Sequence, residues 1–600
     1  MVLAEDLAKQ QRSISVAEFF EKNKHLLGFD SPTRGIITTV KEAVDNALDA
    51  CEEAEVLPDI FVAIRKVGTD VYRITVEDNG PGIVGKNVPY VFGKLLYGSR
   101  FHQIRQSRGQ QGIGISAAVL YAQLTTGVPA LVISRTGANA PAHRFELMIK
   151  TETNEPDVLV HEEIDWDRTH GTRIEIEFRS TLAAKKRLLE YLRYTAVVNP
   201  HARITADIDG ELTVFERVSS EVPPCPKAIL PHPHGIEFGA LKRIAAVSAE
   251  PLDEFLVNSF SRVGKKTAEE MIALANLKPR RKVKGLEAEE LKRLLAAMQQ
   301  VKVPAPPAQQ CLSPIGEDLI RKGLEKEIPL DFIKSRTRPS TVFSGHSFII
   351  EAAIGYGGKL PAEGSGQILR FANRVPLLYQ QGACAITGCV SQVNWKAYGL
   401  SQAGLPAGPV LIMVHVASTN VPFTSESKDA IASIPEIERE IVLVLQELGR
   451  ELKTYLNRRD KKKQQDDRAR AICSIIPEIA AKVSDIVELP PLDTSPIEGK
   501  IMRKLVAKKR TSDGTVSIDV HNYTAREIAF TLYNLSRDDA ADAEPKPDFV
   551  DAFDGEYNKV WKCLLAPGTV WQVTYSGSGD GSIDLRGVEE NQKVVVDLDV

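Results

Sequence analysis

Glu42, Asn46 and Asp49 fall at i, i+4 and i+7 of an amphipathic run, so on a helix they share one face. A carboxylate beside an amide oxygen suits activation of a water next to magnesium, which takes hard oxygen ligands and keeps several waters. The same spacing also fits the polar face of an ordinary helix. Asp78-Asn-Gly80-Pro-Gly82 follows directly on the β-branched run YRITVE. A carboxylate at a strand end can accept a hydrogen bond from an adenine amine, and the glycines let a base approach the backbone. DNG is equally an ordinary surface turn. Gly109-Gln110-Gln111-Gly112-Ile113-Gly114 opens the small-residue run ISAAVL, where N–H groups ahead of a helix can receive phosphate oxygens. A dinucleotide-binding loop would join the first strand to the first helix, whereas a helix and two strands precede this one. Gly171-Thr172 begins the strand-like TRIEIEF and says nothing alone.

Several elements must position these residues. Residues 14–56 read as helices, IFVAIRKV and YRITVEDN as strands, ISAAVLYAQL as a helix, and ALVISRT, HRFELMIK and TRIEIEFR as strands. An α/β sandwich is the economical fold for this part, closing at the Pro-rich CPKAILPHPHG near residue 230. Residues 235–300 read as short helices with turns, among them PLDEFLVNSFSRVGKKTAEEMIALANL, in which RVGKKTAEE holds a turn between helices. VKVPAPPAQQ is a linker, and strands and helices resume over 312–432. Ile437, Ile441, Leu445, Leu448, Leu452 and Leu456 step by three and four along one stripe, which predicts a long helix over 437–463. From about 514, VSIDVHN, EIAFTLYN, WQVTYSG and KVVVDLD alternate as in a β-sandwich. The expected class is multidomain α+β.

A chain of 600 residues is too long for one core. Its net charge of -4 means that DNA contact needs local basic patches. No apolar run reaches the roughly 18 residues that span a bilayer, and the N-terminus lacks a signal peptide's apolar segment. Seven cysteines without CxxC pairs fit a reduced cytosolic chain lacking disulfides or zinc. His201, His232 and His234 read as linker residues rather than a ligand set.

In this order the four motifs resemble the N, G1, G2 and GT boxes of the gyrase, Hsp90, histidine kinase and MutL ATPase superfamily (the Bergerat fold). Longer phrases narrow the resemblance. Ser13-Ile-Ser-Val-Ala-Glu-Phe-Phe-Glu-Lys-Asn23, residues 41–51, Tyr97-Gly-Ser-Arg-Phe-His102, Gln106-Ser-Arg-Gly-Gln-Gln-Gly-Ile-Gly114 and Phe423-Thr-Ser-Glu-Ser-Lys428-Asp-Ala-Ile-Ala432 are similar to the archaeal-type B subunits of type IIB DNA topoisomerases, the topoisomerase VI family. The resemblance runs from about residue 14 to at least 460.

It implies an ATP-hydrolysing subunit with ATP and Mg²⁺ as cofactors. Glu42 would activate the attacking water, Asn46 would hold magnesium, and Asp78, supported by Thr172, would read the adenine amine. Asp49, Gly80, Gly82, Ser99, Arg100, Gly109, Gln110, Gln111, Gly112, Ile113 and Gly114 would complete the ATP site. Lys428 would reach the γ-phosphate from a second domain. The implied domains are a strap and Bergerat ATPase (1–232), a helix–two-turn–helix insert (233–308), an S5-like transducer (309–432), and a stalk helix with connector to an A subunit (433–512). An immunoglobulin-like accessory domain outside the minimal family pattern would follow (513–600). Expected partners are that A subunit, which would carry the cleaving tyrosine, a second copy joined through the N-terminal domain, and double-stranded DNA; no membrane is involved. The expected location is cytoplasmic, at the nucleoid. Lys265, Lys266, Arg280, Arg281, Arg458 and Lys461, with Lys508-Lys509-Arg510, fit either DNA phosphates or solvated helix ends. A MutL-like repair ATPase is the strongest rival, opposed by the 235–305 insert and by FTSESKDAIA. An Hsp90-like chaperone would carry an arginine in Lys428's place, and no phosphoacceptor His supports a histidine kinase.

Overall fold

The computed structural model describes residues 13–24, 28–100, 103–109, 112–181, 185–425, 427–490 and 492–599. They fall into two compact units, Met1–Thr454 and Tyr455–Val600.

In the first unit, α1 (Val16–Lys22) starts on Ser15, whose hydroxyl accepts from the Glu18 N–H. The next helix, α2 (Pro32–Glu53), starts on Ser31 with proline in its first turn, where the missing N–H costs nothing. Strands β1 (Asp59–Gly68) and β2 (Val71–Glu77), helices α3 (Val88–Gly93) and α4 (Gly114–Thr126), strands β3 (Ala130–Arg135), β4 (Ala142–Lys150), β5 (Glu155–Ile164) and β6 (Gly171–Arg179), helix α5 (Lys185–Val198), and strands β7 (Arg203–Ile208) and β8 (Glu211–Phe215) follow. Among the described residues the eight strands form one sheet, ordered β5-β4-β3-β6-β2-β1-β7-β8. Ile36, Val40, Val44 and Leu48 repeat every four residues along α2 and are buried with Ile74, Val76 and Ile176 of the sheet, which leaves the opposite face free for chemistry. The sequence reading omitted β5, β7 and β8. No residue of β5 is buried, so it lacks the alternation that marks a strand.

Helices α6 (Phe238–Val247), α7 (Leu252–Ser259), α8 (Lys265–Leu274) and α9 (Ala288–Gln300) enclose their own core around Leu241, Phe255, Met271 and Leu294. The turn expected between helices around RVGKKTAEE falls between α7 and α8, where Arg262 takes φ +62°, and Lys265 and Lys266 open α8 just after it.

Next come α10 (Ala308–Cys311), α11 (Glu317–Glu327), β9 (Phe332–Thr337), β10 (Thr341–Phe343), β11 (His346–Tyr356), β12 (Gln367–Ala372), β13 (Val375–Pro376), α12 (Ala385–Gln392), β14 (Ser401–Ala403), β15 (Leu405–Ala407) and β16 (Val410–Ser418). A sheet ordered β10-β11-β16-β12-β13, with β9 also on β11, has the wholly buried β16 at its centre. Then α13 runs from Pro435 to Val487, which is 53 residues and about 80 Å at 1.5 Å per residue. Ile437, Ile441, Leu445, Leu448 and Leu452 are buried as their spacing requires. The helix passes residue 463, where the stripe predicted its end, and continues through Pro477.

The second unit holds the distal part of α13, the short α14 (Ser495–Met502) and strands β17 (Leu505–Ser512), β18 (Thr515–Asn522), β19 (Ile528–Ser536), β20 (Phe549–Phe553), β21 (Glu556–Leu565), β22 (Val570–Ser576), β23 (Ser582–Arg586) and β24 (Lys593–Asp599). Two four-stranded sheets, β22-β18-β17-β24 and β20-β21-β19-β23, enclose Ile518, Leu532, Trp561 and Val573. The β region therefore begins at Leu505, ahead of the expected boundary at 513. Its first strand was hidden by the basic run KLVAKKRTS. Lys508 and Lys509 are buried, one paired with Asp493 and the other donating to the carbonyls of Gly579 and Gly581, so neither is a surface phosphate contact.

Candidate functional site

The free face of α2 lines a cavity of about 850 Å³, within the range of small-molecule sites. Glu42 and Asn46 project from α2, Asp78 and Gly82 from the end of β2, and Thr172 from the start of β6. Ser99, Arg100, Gly109, Gly112, Ile113 and Gly114 form the wall ahead of α4, and Lys428 enters from the loop after β16. Gln110 and Gln111 lie outside the described residues.

Asp78 is buried at the strand end, and its Oδ1 accepts from the N–H groups of Gly80 (2.8 Å) and Thr172 (3.2 Å). Burial outweighs those donors and pushes its carboxyl up to about 6. Gly80 thus stands behind the carboxylate as a donor. Gly171 has φ +141°, and a Cβ there would lie 2.2 Å from the Asp78 carbonyl oxygen, so only glycine lets β6 begin beside this aspartate. Ser134 stands 3.5 Å from the Thr172 hydroxyl and accepts from the Ile83 N–H, which ties the adjacent turn to the sheet.

On the opposite wall, a Cβ at Gly114 would lie 1.8 Å from Glu42 Oε2. The missing side chain is what seats the Glu42 carboxylate against the helix start. Among the described residues, no protein hydrogen bond engages Glu42 or the Asn46 amide, and Asn46 lines the cavity. The Asn46 amide oxygen is a hard ligand of the kind an octahedral cation takes beside phosphate oxygens and water, and the Glu42 carboxylate one helical turn away is left uncommitted to accept a proton.

Asp49 departs from its expected place. It is buried, and its carboxylate pairs with Arg100 and Arg108, both at 2.6 Å. It positions the wall of the cavity without lining it. Arg100 is shared between the cavity and Asp49, with Glu53 at 3.1 Å. Arg108 also grips Glu52 through both terminal nitrogens and donates to Asn199 at 2.5 Å. Burial opposes ionisation of Glu52, but Arg108 and the hydrogen bond from His201 hold its carboxyl well below the ordinary carboxylate range. Sequence reasoning missed Arg108, because its partners are scattered along the chain.

This web continues into the second sheet. Asn373 and Arg374 form the tight β12–β13 turn, both with positive φ. The Asn373 amide donates to the carbonyls of Ser107 and Ser418. Arg374 lies 3.9 Å from Glu52 and donates to the carbonyls of Ser313 and Pro314. Its own N–H donates to His415 Nε2, whose Nδ1 lies 2.8 Å from a wholly buried Glu351.

Lys428 Nζ donates to the Arg108 carbonyl at 3.2 Å, directly before the glycine run. Lys428 itself has φ +55°, a left-handed conformation that costs an L-residue roughly 1–2 kcal/mol and needs outside support.

The basic residues are less uniform than their sequence clusters. Lys265 and Lys266 open α8 and are exposed, and Arg458 and Lys461 are exposed on α13. Arg280 is engaged by Asp253 and Glu254, and Arg281 by Glu290 and the Gly285 carbonyl. His232 and His234 each bond a backbone carbonyl, whereas His201 faces Glu52.

The sheet, the glycine-flanked carboxylate and the α2 face define an ATPase domain of the histidine kinase-, DNA gyrase B- and HSP90-like class, whose family profile matches residues 32–181. Two further profiles match, the transducer of the topoisomerase VI B subunit over 307–468 and the C-terminal domain of the type 2 DNA topoisomerase 6 B subunit over 488–595. Relatives described as B subunits of type 2 DNA topoisomerase 6 include one from Methanococcoides burtonii, 49% identical over 100% of this chain and 97% of its own length. Another, from Archaeoglobus fulgidus, is 45% identical over 98% of each chain. The chain belongs to the family of type 2 DNA topoisomerase 6 B subunits and is the ATPase subunit of a type IIB DNA topoisomerase. The C-terminal β region, expected outside the family pattern, lies within it.

Proposed function

We propose that ATP binding closes two copies of this subunit around double-stranded DNA, and that its hydrolysis times strand passage through a break made by an A subunit. The observation that carries this reading is the convergence of α2 and Lys428 on one cavity, which makes the nucleotide a bridge between the ATPase sheet and the transducer. Glu42 takes a proton from water as its oxygen attacks the γ-phosphorus and the bond to the β-phosphate oxygen breaks. Asn46 would hold magnesium, which offsets phosphate charge when bound. Lys428 stabilises charge on the terminal phosphate. We assign 233–308 to a helix–two-turn–helix module on its four short helices, and the two-sheet region to an immunoglobulin-like domain. The A subunit is assigned to the distal part of α13, where Ile472, Ile475, Ile479, Val483 and Ile486 form an exposed apolar stripe. Exposed Lys265, Lys266, Arg458 and Lys461 are the DNA contacts retained; Arg280 and Arg281 are weakened by their ion pairs.

Co-purification with the A subunit, followed by a relaxation assay, tests the reading. ATP-dependent relaxation and nucleotide-dependent dimerisation are expected. Relaxation without ATP, or a constant dimer by light scattering, would refute it.

Asp78 adds a pH signature. Its folded carboxyl titrates near 6 rather than 3.8, so below about 6 the cavity holds a neutral acid. The stability this proton confers on the empty fold is complete below 3.8 and lost as pH rises through about 6. Adenine recognition has the opposite sign, since the amine donates best to the ionised form. Nucleotide affinity should therefore fall from pH 7.5 to 5.5 by up to about tenfold per unit below the titration point. Asp78→Asn should bind more weakly at pH 7.5 and lose that part of the slope, although the nucleotide's own phosphates still titrate. Equal slopes in titrations of parent and variant would place adenine recognition elsewhere.

A further inference from the structure

Lys428 needs to be held, and α2 holds it from both sides. Arg34, in the first turn of α2, pairs with Asp429 and, at 2.7 Å, with Asp30. Two turns along the same face, Lys41 Nζ donates to the Ser427 carbonyl at 3.3 Å. The residues flanking Lys428 are thus gripped by two cations of the helix that carries Glu42 and Asn46. Asp429 is buried, and its Oδ2 also accepts from the Ser427 hydroxyl at 2.6 Å, so the carboxylate ties the loop to itself and to α2. The Arg34 guanidinium lies over the Tyr379 ring, 4.5 Å from its centre, and Arg370 donates to the Tyr379 carbonyl at 2.8 Å. The ring and guanidinium are therefore fixed by the transducer sheet.

We propose that Arg34, acting through Asp429, is the positioning residue that keeps Lys428 in the nucleotide cavity, a latch whose release lets the loop withdraw. Arg34 stands on the ATPase side and Asp429 on the transducer side, so the pair spans the joint that the nucleotide bridges. With the pair broken, Lys41 and the loop's own backbone bonds from Lys428 to Ser425 and from Thr424 to Ala430 remain, but the carboxylate anchor directly beside the left-handed Lys428 is lost. The inference rests on the reading of Lys428 as the residue that meets the terminal phosphate.

The test measures kcat and KM for ATP in the complex with the A subunit. Arg34→Gln is expected to lower kcat about tenfold with KM within about twofold. Asp429→Asn, nearly isosteric, should do the same from the other side, which keeps the test open if one variant fails to fold. The exchanged pair Arg34→Asp with Asp429→Arg should regain at least about a third of parental kcat. In a Lys428→Ala background, Arg34→Gln should cause no further loss. A kcat within about twofold of the parent for both single variants, or losses that multiply in the Lys428→Ala background, would overturn the latch alone. A Lys428→Ala variant with unchanged kcat would overturn the reading of Lys428 and the latch with it.

Discussion

Glu42→Ala should lower ATP turnover by about 10²–10⁴-fold, the usual share of a positioned general base, while nucleotide affinity changes by only a few-fold. The carboxylate has no protein hydrogen-bond partner among the described residues and sits on the cavity wall against Gly114, so its removal leaves no orphaned donor. Asp78, on the far side of the cavity, is untouched, so binding survives. Nucleotide-bound dimers should accumulate, because entry proceeds and the chemical step does not. Turnover within about tenfold of the parent in the purified variant would remove Glu42 from the role of base.

The second large effect is expected at Lys428. Its ammonium meets the Arg108 carbonyl beside the glycine run and lines the cavity. On the proposed reading the terminal phosphate of bound ATP would be the better partner, and it would be gone after hydrolysis and phosphate release. A contact of this kind shifts an equilibrium only by its difference in affinity for the two states. Lys428→Ala should slow hydrolysis by about 10–10³-fold, the scale of losing one electrostatic stabiliser. It should also diminish the change in separation between labels placed at residue 453 of α13 in the two protomers when ATP analogue replaces ADP. A full nucleotide-dependent change in the variant would mean that another transducer residue senses the phosphate.

The candidate site was legible where its residues are local in sequence. Glu42 and Asn46 share a helix face by spacing alone, and Asp78 and Gly114 sit at the strand end and helix start that their neighbours predict. What the sequence concealed is long-range. Arg34 finds Asp429 from the other end of the first unit, and no periodicity announces that pair. Asp49 looked like a third cavity residue because it continues the face of Glu42, but its carboxylate is turned aside to Arg100 and Arg108, while Ala50 and Glu53 further along α2 still line the cavity. The basic run at 504–510 looked solvated because burying two lysines is costly unless carbonyl or carboxylate oxygens surround them, and those oxygens come from distant turns. The length of α13 was understated because KKKQQDDRAR has helix propensity but no apolar stripe to reveal it.

The turn at Asn373 and Arg374 has a mechanical meaning. Where the transducer sheet meets the ATPase domain through this turn, at Ser107, Glu52 of α2 and Asn199, the bonds are directional and their donors are buried. Apolar side chains slide past one another at little cost, whereas a hydrogen bond loses most of its attraction once bent below about 120°. Such a joint is stiff against small displacements and brittle against large ones. A displacement large enough to bend these bonds breaks them, and the geometry is recovered only when they reseat. The transducer sheet is fastened to α2 and its neighbouring loop by a snap, not by a spring.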